Sequence, residues 1–220
     1  EIAVLYEDST VIVINKPAGV SAHPGDGAAK EATVADIFAN KVSYSDPDGR
    51  AGIVHRLDKD TSGVMVLART AEALEFLQQQ FQARTVEKHY TALVWGQLKQ
   101  SQARIELPIG RHPKVHTRMA VVPEGRMAIS EYALERAYSD YSLIDVLLLT
   151  GRTHQIRVHM AYLGNPVVGD KVYGKRVNPD GLTRQFLHAK SLHLTLPNNV
   201  DHTFVAPLPS ELQYFLEELV

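Results

Sequence analysis

His55-Arg56-Leu57-Asp58-Lys59-Asp60-Thr61-Ser62-Gly63 runs straight into Val64-Met65-Val66-Leu67-Ala68. The second stretch is a short apolar run bounded by polar residues, which reads as a buried strand over 64–69. The first gathers carboxylates, cations, two hydroxyls and a glycine at the mouth of that strand. A rigid scaffold presents chemistry on loops placed in this way. Asp58 lies two residues from Arg56, near enough for the side chains to pair. An aspartate in such a loop is equally well an Asx turn or half of a structural ion pair, so spacing alone leaves the cluster open.

Outward from this stretch the same patterns recur. Val11-Ile12-Val13-Ile14 ends at Asn15-Lys16-Pro17 and reads as a strand followed by a turn. Ser21 to Gly27 is loop, Thr33 to Asn40 a short helix, and Ser43 to Arg50 a connection. Downstream, Leu74, Leu77 and Phe81 keep helical spacing and predict a helix over Ala71–Ala83. Strands are expected over 90–98, 103–107, 128–134 and 142–150. Thr153 is placed to cap a helix running to about Leu163, which Gly164-Asn165-Pro166 ends. A hairpin over 192–196 and 202–205 follows, then a final helix capped by Ser210. Strands outnumber helices and seldom alternate with them. That predicts an α+β fold with a mixed, largely antiparallel central sheet and flanking helices. No repeat or linker appears, so one domain over 1–220 is expected.

Composition narrows the chemistry. Of 220 residues, 45% are hydrophobic and 22% charged, as in an ordinary globular protein. No apolar run approaches the roughly 18 residues that span a bilayer, so no membrane partner is expected. The acidic start, with Glu7 and Asp8, is unlike a signal peptide. There is no cysteine, which excludes disulfides, zinc-thiolate sites, iron–sulfur clusters and thiol nucleophiles and fits a cytoplasmic location. His154 and His159 are five apart rather than four, and arginines flank them, so no metal is expected. Gly25-Asp26-Gly27 and Gly174-Lys175-Arg176 fail as nucleotide loops.

The net charge of −2 hides a patterned distribution. Residues 1–50 hold eight acids against four bases, and 191–220 hold four acids and no Lys or Arg. Basic residues concentrate at 104–126 and at 151–190, which suits a polyanion if the two stretches meet. Within the second, Gly151-Arg152-Thr153-His154-Gln155-Ile156-Arg157-Val158-His159 opens a helix, where backbone N–H groups and arginines suit an anion. A substrate phosphate and Asp58 are both candidates.

Taken in order, the motifs resemble the RluA-type pseudouridine synthases. Asn15-Lys16-Pro17-x-Gly19 with His23-Pro24, His55-Arg56-Leu57-Asp58-x-x-Thr61-Ser62-Gly63, Lys88-His89-Tyr90-x-Ala92, the 151–159 stretch, Gly169-Asp170-x-x-Tyr173-Gly174 and Leu187-His188-Ala189 all match. Arg111-His112-Pro113 and Met119-Ala120-Val121 are most similar to the RluD-like branch, which acts on large-subunit ribosomal RNA. The resemblance implies a cofactor-free isomerisation of uridine in RNA, with ribosomal RNA as partner, transfer RNA as the alternative, and no obligate protein partner. It makes Asp58 the catalytic aspartate, acting as nucleophile at C1′ or as base at the ribose 2′ carbon. Arg157 would pair with Asp58 and aim it. Tyr90 would stack on the uracil and help remove the C5 proton. Arg56 would fill the space left by the flipped uridine, and Leu187 would pack near the base. Arg152, His154 and Gln155 would join the substrate-binding set. Such enzymes often carry an N-terminal S4-type RNA-binding domain. None is present in this sequence, which starts at Glu1, so a missing N-terminal segment is expected. The alternatives are a catalytically silent RNA-binding or assembly factor and a nucleoside hydrolase.

Overall fold

The β-branched run Val11-Ile12-Val13-Ile14 and the apolar run Val64–Ala68 favour extended structure. The computed structural model describes residues 2–24, 31–46, 49–174 and 179–219. Strands β1 (Ala3–Glu7) and β2 (Val11–Lys16) precede a short helix α1 (Val34–Phe38), which ends in a 3-10 turn. Next come β3 (Ser62–Ala68), α2 (Ala71–Ala83), β4 (Glu87–Trp95), β5 (Gln102–Arg111) and β6 (Met119–Val121). The chain continues through β7 (Arg126–Ala137), β8 (Tyr141–Leu148), α3 (Gln155–Tyr162), β9 (Leu187–Thr195), β10 (Asp201–Val205) and α4 (Ser210–Glu217). It divides into two compact units, Glu1–Glu87 with Ala189–Pro207, and Lys88–His188 with Leu208–Val220. Gly25-Asp26-Gly27, Pro47, Lys175 and Arg176 lie outside the described residues.

In the first unit the strands run β1-β2-β3-β9, with β10 on β9. All seven residues of β3 are buried, and Val13 pairs with Val66 on β2. The core is built from Val11, Val13, Val64 and Val66 against Leu77 of α2 and Leu192 and Phe204 of the last hairpin. Thr70 caps α2 by accepting from the Ala73 N–H at 3.1 Å, and Arg84 in the left-handed region ends it. Gly63 is required for packing: a Cβ there would sit 2.2 Å from the Ala189 carbonyl oxygen.

In the second unit the order is β4-β8-β7-β5-β6. Helix α4 and the segment around Phe186 pack on Leu93, while Val158 of α3 packs on Ile109 and Ala128 of β5 and β7. Every strand pairing with a described register is antiparallel. The fold class is therefore α+β on antiparallel sheet, as the sequence pattern predicts.

Several boundaries differ from the sequence pattern. β1 was not expected. β4 occupies 87–95 rather than 90–98, because Gly96 turns the chain with φ +76. β9 starts five residues before the expected strand at 192. Neither expected cap is made. α3 begins after His154, which is left-handed (φ 56) and gives no side-chain cap, so Thr153 does not cap it. α4 begins after Pro209, which makes Ser210 the first helical residue rather than its cap.

Candidate active site

The Asp58 loop is built from the backbone up. At the end of β2, Lys16 is fully buried. Its ammonium donates to the carbonyls of Pro17 (2.9 Å), Val20 (2.8 Å) and Lys59 (3.0 Å). The Gly19 N–H also donates to Lys59 O, at 2.9 Å. Two stretches of backbone are thus tied together one residue after Asp58. Buried Leu57, Thr61 and Ser62 anchor the loop from inside, and the Thr61 N–H closes a turn on Asp58 O at 3.0 Å. His55 takes a structural place: its Nε2 accepts from the Val66 N–H at 3.1 Å, and its ring stacks on Phe81. Asp58 itself stays partly exposed and Arg56 is exposed, with Arg56 Nη1 3.3 Å from His23 Nε2.

In the second unit the start of α3 collects four of the expected residues. Arg157 is buried, and its guanidinium meets Asp170 edge-on, with Nε to Oδ2 at 2.7 Å and Nη2 to Oδ1 at 3.0 Å. Asp170 Oδ1 also accepts from the Val172 and Tyr173 N–H groups. Burial pushes the Asp170 carboxyl up, but the Arg157 hydrogen bond and charge, with the two N–H groups, outweigh it and hold the carboxyl below its ordinary value. The Tyr173 ring lies over the Arg157 guanidinium at 5.1 Å. Tyr173 Oη accepts from the Met119 N–H at 2.9 Å and lies 2.8 Å from His154 Nδ1.

Gln155 is buried and uses its whole amide inside the unit. Its Oε1 accepts from the Thr150 hydroxyl (2.7 Å) and the Arg152 N–H (3.0 Å). Its Nε2 donates to Ile129 O (2.9 Å) and Ser130 Oγ (2.8 Å). Ser130 Oγ lies 3.0 Å from His159 Nδ1, and His159 Nε2 lies 3.3 Å from Leu107 O. Since a carbonyl only accepts, Nε2 carries the His159 proton and Nδ1 accepts the Ser130 hydroxyl. Burial pushes the His159 imidazole down, more than the Leu107 hydrogen bond raises it. Gln155, expected to bind substrate, thus ties the start of α3 to β7 in the protein interior, and His159 ties the helix to β5. Arg152 is partly exposed, with Nε donating to Met127 O at 3.2 Å.

Tyr90 is buried on β4 opposite Val146 of β8. Leu187 is buried at the start of β9, and its carbonyl accepts from Arg184, which pairs with Glu211 of α4 at 2.8 Å. Asp58 and Arg56 belong to the first unit, and Tyr90, Arg157 and Leu187 to the second.

The basic stretches are thinner than their composition. Arg104 is paired with Glu106 and Glu131, and Arg157 and Arg184 sit in buried or part-buried ion pairs. The β5–β6 hairpin is different: Arg111, Lys114, His116 and Arg118 are exposed there, and no acid lies between 107 and 123. Among the described residues no His, Cys, Asp or Glu group is arranged to hold a metal ion, and no helix is long and apolar enough to cross a membrane.

The positions missed as site residues are Lys16, Ser130, Asp170 and Tyr173. Asp170 carried a readable signal, since an aspartate followed by turn residues favours an Asx turn. Lys16 carried none, because nothing local tells a buried lysine from an exposed one.

Comparison with known proteins identifies the family to which this antiparallel α+β scaffold belongs. Residues 10–162 match the family described as RNA pseudouridylate synthase. The chain is 48% identical over 210 residues to an uncharacterized RNA pseudouridine synthase of Chloroflexus aurantiacus, covering 93% of this chain and 65% of that protein. It is 43% identical over 225 residues to the ribosomal large subunit pseudouridine synthase D of Nitrosomonas europaea, covering 98% and 64%. It therefore spans a little under two thirds of the length of these relatives. The solved structure of human RNA pseudouridylate synthase domain containing 4 superposes with a TM-score of 0.77 at 25% identity, over 99% of this chain and 92% of that one. The chain belongs to the RNA pseudouridylate synthase family.

Proposed function

We propose that this chain isomerises uridine to pseudouridine in RNA, with large-subunit ribosomal RNA as the substrate. The observation that carries the proposal is the family match over residues 10–162, which takes in Asp58, Tyr90 and Arg157 together. The name of the Nitrosomonas relative supports the ribosomal substrate. In this reaction the N1–C1′ bond breaks, the uracil turns, and C5 bonds to C1′. C5 loses a proton and N1 gains one, so no electrons change hands. Asp58 supplies the carboxylate that acts on the ribose, at C1′ or C2′. Arg157 aims that carboxylate, itself held by Asp170 through Nε and Nη2. Tyr90 stacks on the uracil and Leu187 packs beside it. The uridine must leave its stack for C1′ to be reached, and Arg56 fills the gap. Arg152, His154 and the exposed β5–β6 hairpin meet phosphates. The setting is the cytoplasm, where the RNA is.

The test is to incubate the chain with ribosomal and transfer RNA and map pseudouridine by chemical modification and primer extension, assaying free uracil in parallel. The expected product is pseudouridine in ribosomal RNA and no released base, with product lost in Asp58→Asn while RNA binding persists. Free uracil would make the chain a hydrolase. Binding without product would make it a silent factor.

A further inference from the structure

The motif Gly169-Asp170-x-x-Tyr173-Gly174 was not among the expected site residues, yet both of its side chains converge on Arg157. Asp170 holds the guanidinium in its own plane, through Nε and Nη2. A contact along one edge leaves the plane able to rock about that edge. The Tyr173 ring, over the face at 5.1 Å, opposes that rocking. One turn therefore supplies two perpendicular constraints. The turn is itself closely packed, since a Cβ on Gly174 would lie 2.2 Å from Asp170 O.

The Tyr173 hydroxyl carries the connection further. It accepts from the N–H of Met119, the first residue of β6, directly after Arg118 of the basic hairpin. The same oxygen is hydrogen-bonded to His154 Nδ1, 2.8 Å away. His154 is the left-handed residue just before α3, and its ring meets the Tyr173 ring edge-on. One rigid side chain thus joins the exit of the basic hairpin, the start of α3 and the face of Arg157. β6 has three residues and pairs with β5 alone among the strands, so it is the more compliant end of this link.

We infer that Tyr173 is a positioning residue that couples the β5–β6 hairpin to the Arg157 guanidinium, so that RNA seated on the hairpin sets the angle at which Arg157 is presented. The inference rests on the proposed function for its consequence in rate, though not for its geometry. A purely structural Tyr173 would change melting temperature alone.

The test uses the whole chain, with Tyr173→Phe, which keeps the ring and removes both hydroxyl contacts. Single-turnover pseudouridine formation on a ribosomal RNA fragment should slow by about tenfold at saturating RNA, because small misplacements of a catalytic array are costly. Half-saturation should stay within about twofold of wild type. Tyr173→Leu should slow the reaction further. In parallel, the Arg157 Nε–H resonance of 15N-arginine-labelled chain should move when RNA is added to wild type and stay still in Tyr173→Phe. A wild-type saturated rate in Tyr173→Phe, or a resonance that responds to RNA equally in both proteins, overturns the inference. A wild-type chain that binds RNA and forms no pseudouridine overturns the proposed function instead, and the resonance still decides the coupling.

Discussion

Asp170 is the residue whose protonation the fold can least tolerate. Its carboxyl lies below its ordinary value in the folded chain, so it binds a proton later than in the unfolded chain. The resulting stability is fully present above about pH 4, the unfolded value, and is lost as pH falls through the folded one. Asp170→Asn should therefore cost about 3 kcal/mol at neutral pH by removing the two-point carboxylate partner of a buried guanidinium, and should flatten the acid limb of the stability curve. Urea denaturation from pH 7 to pH 3 measures both. His159 behaves differently. Its imidazole is pushed down, so the unfolded chain takes up the proton first and stability declines as pH falls below about 6.5. His159→Asn should reduce the decline in melting temperature between about pH 6.5 and pH 5, and an unchanged slope would count against a neutral buried imidazole. Of these residues only Asp58, Arg157 and Tyr90 were legible as a set, and only through ordered motifs. The Arg157–Asp170 pair joins residues 13 apart across a loop, and no periodicity encodes it.

At the scale of elements, what could be read depended on whether the determinant was local. α2 matches its expected limits because apolar spacing, a threonine cap and a left-handed terminator all lie within its own sequence. β9 was half missed, because Leu187-His188-Ala189 carries no alternation and is held extended by its neighbours. Gly63 shows the same limit. Read as part of a polar cluster, it is the second residue of β3, at φ +124, where the β9 backbone leaves no room for a side chain. Gly63→Ala combines backbone strain with a backbone clash and should cost about 3 kcal/mol or more. A shift of the urea midpoint by less than about a third of that would mean that the two strands separate more readily than their packing suggests.

At the scale of the molecule, formal charge is a poor guide to which cations stand unoccupied by acids at the surface. Three of the arginines in the two basic stretches, Arg104, Arg157 and Arg184, are paired with acids, whereas the β5–β6 hairpin keeps its cations exposed. Lys114→Ala should weaken RNA binding and lower the salt dependence of the binding constant by about one phosphate contact. Titrations at two or more salt concentrations would show it, and an unaltered slope would remove the hairpin from the interface. The division into two units was also illegible. The chain crosses between them three times, at Glu87/Lys88 and His188/Ala189 within β4 and β9 and at Pro207/Leu208 before α4, so two of the three crossings fall inside strands that no local composition interrupts.

Lys16 has a practical consequence. Its amine is enclosed by three carbonyls and has no solvent exposure, so an acylating reagent reaches it only when the 17–20 turn lifts away from Lys59. Timed acetylation followed by mass spectrometry would then convert Lys16 into a clock for the opening of the Asp58 loop. Exposed Lys59 and Lys114 would be labelled at once, and bound RNA should slow the clock if substrate closes the loop.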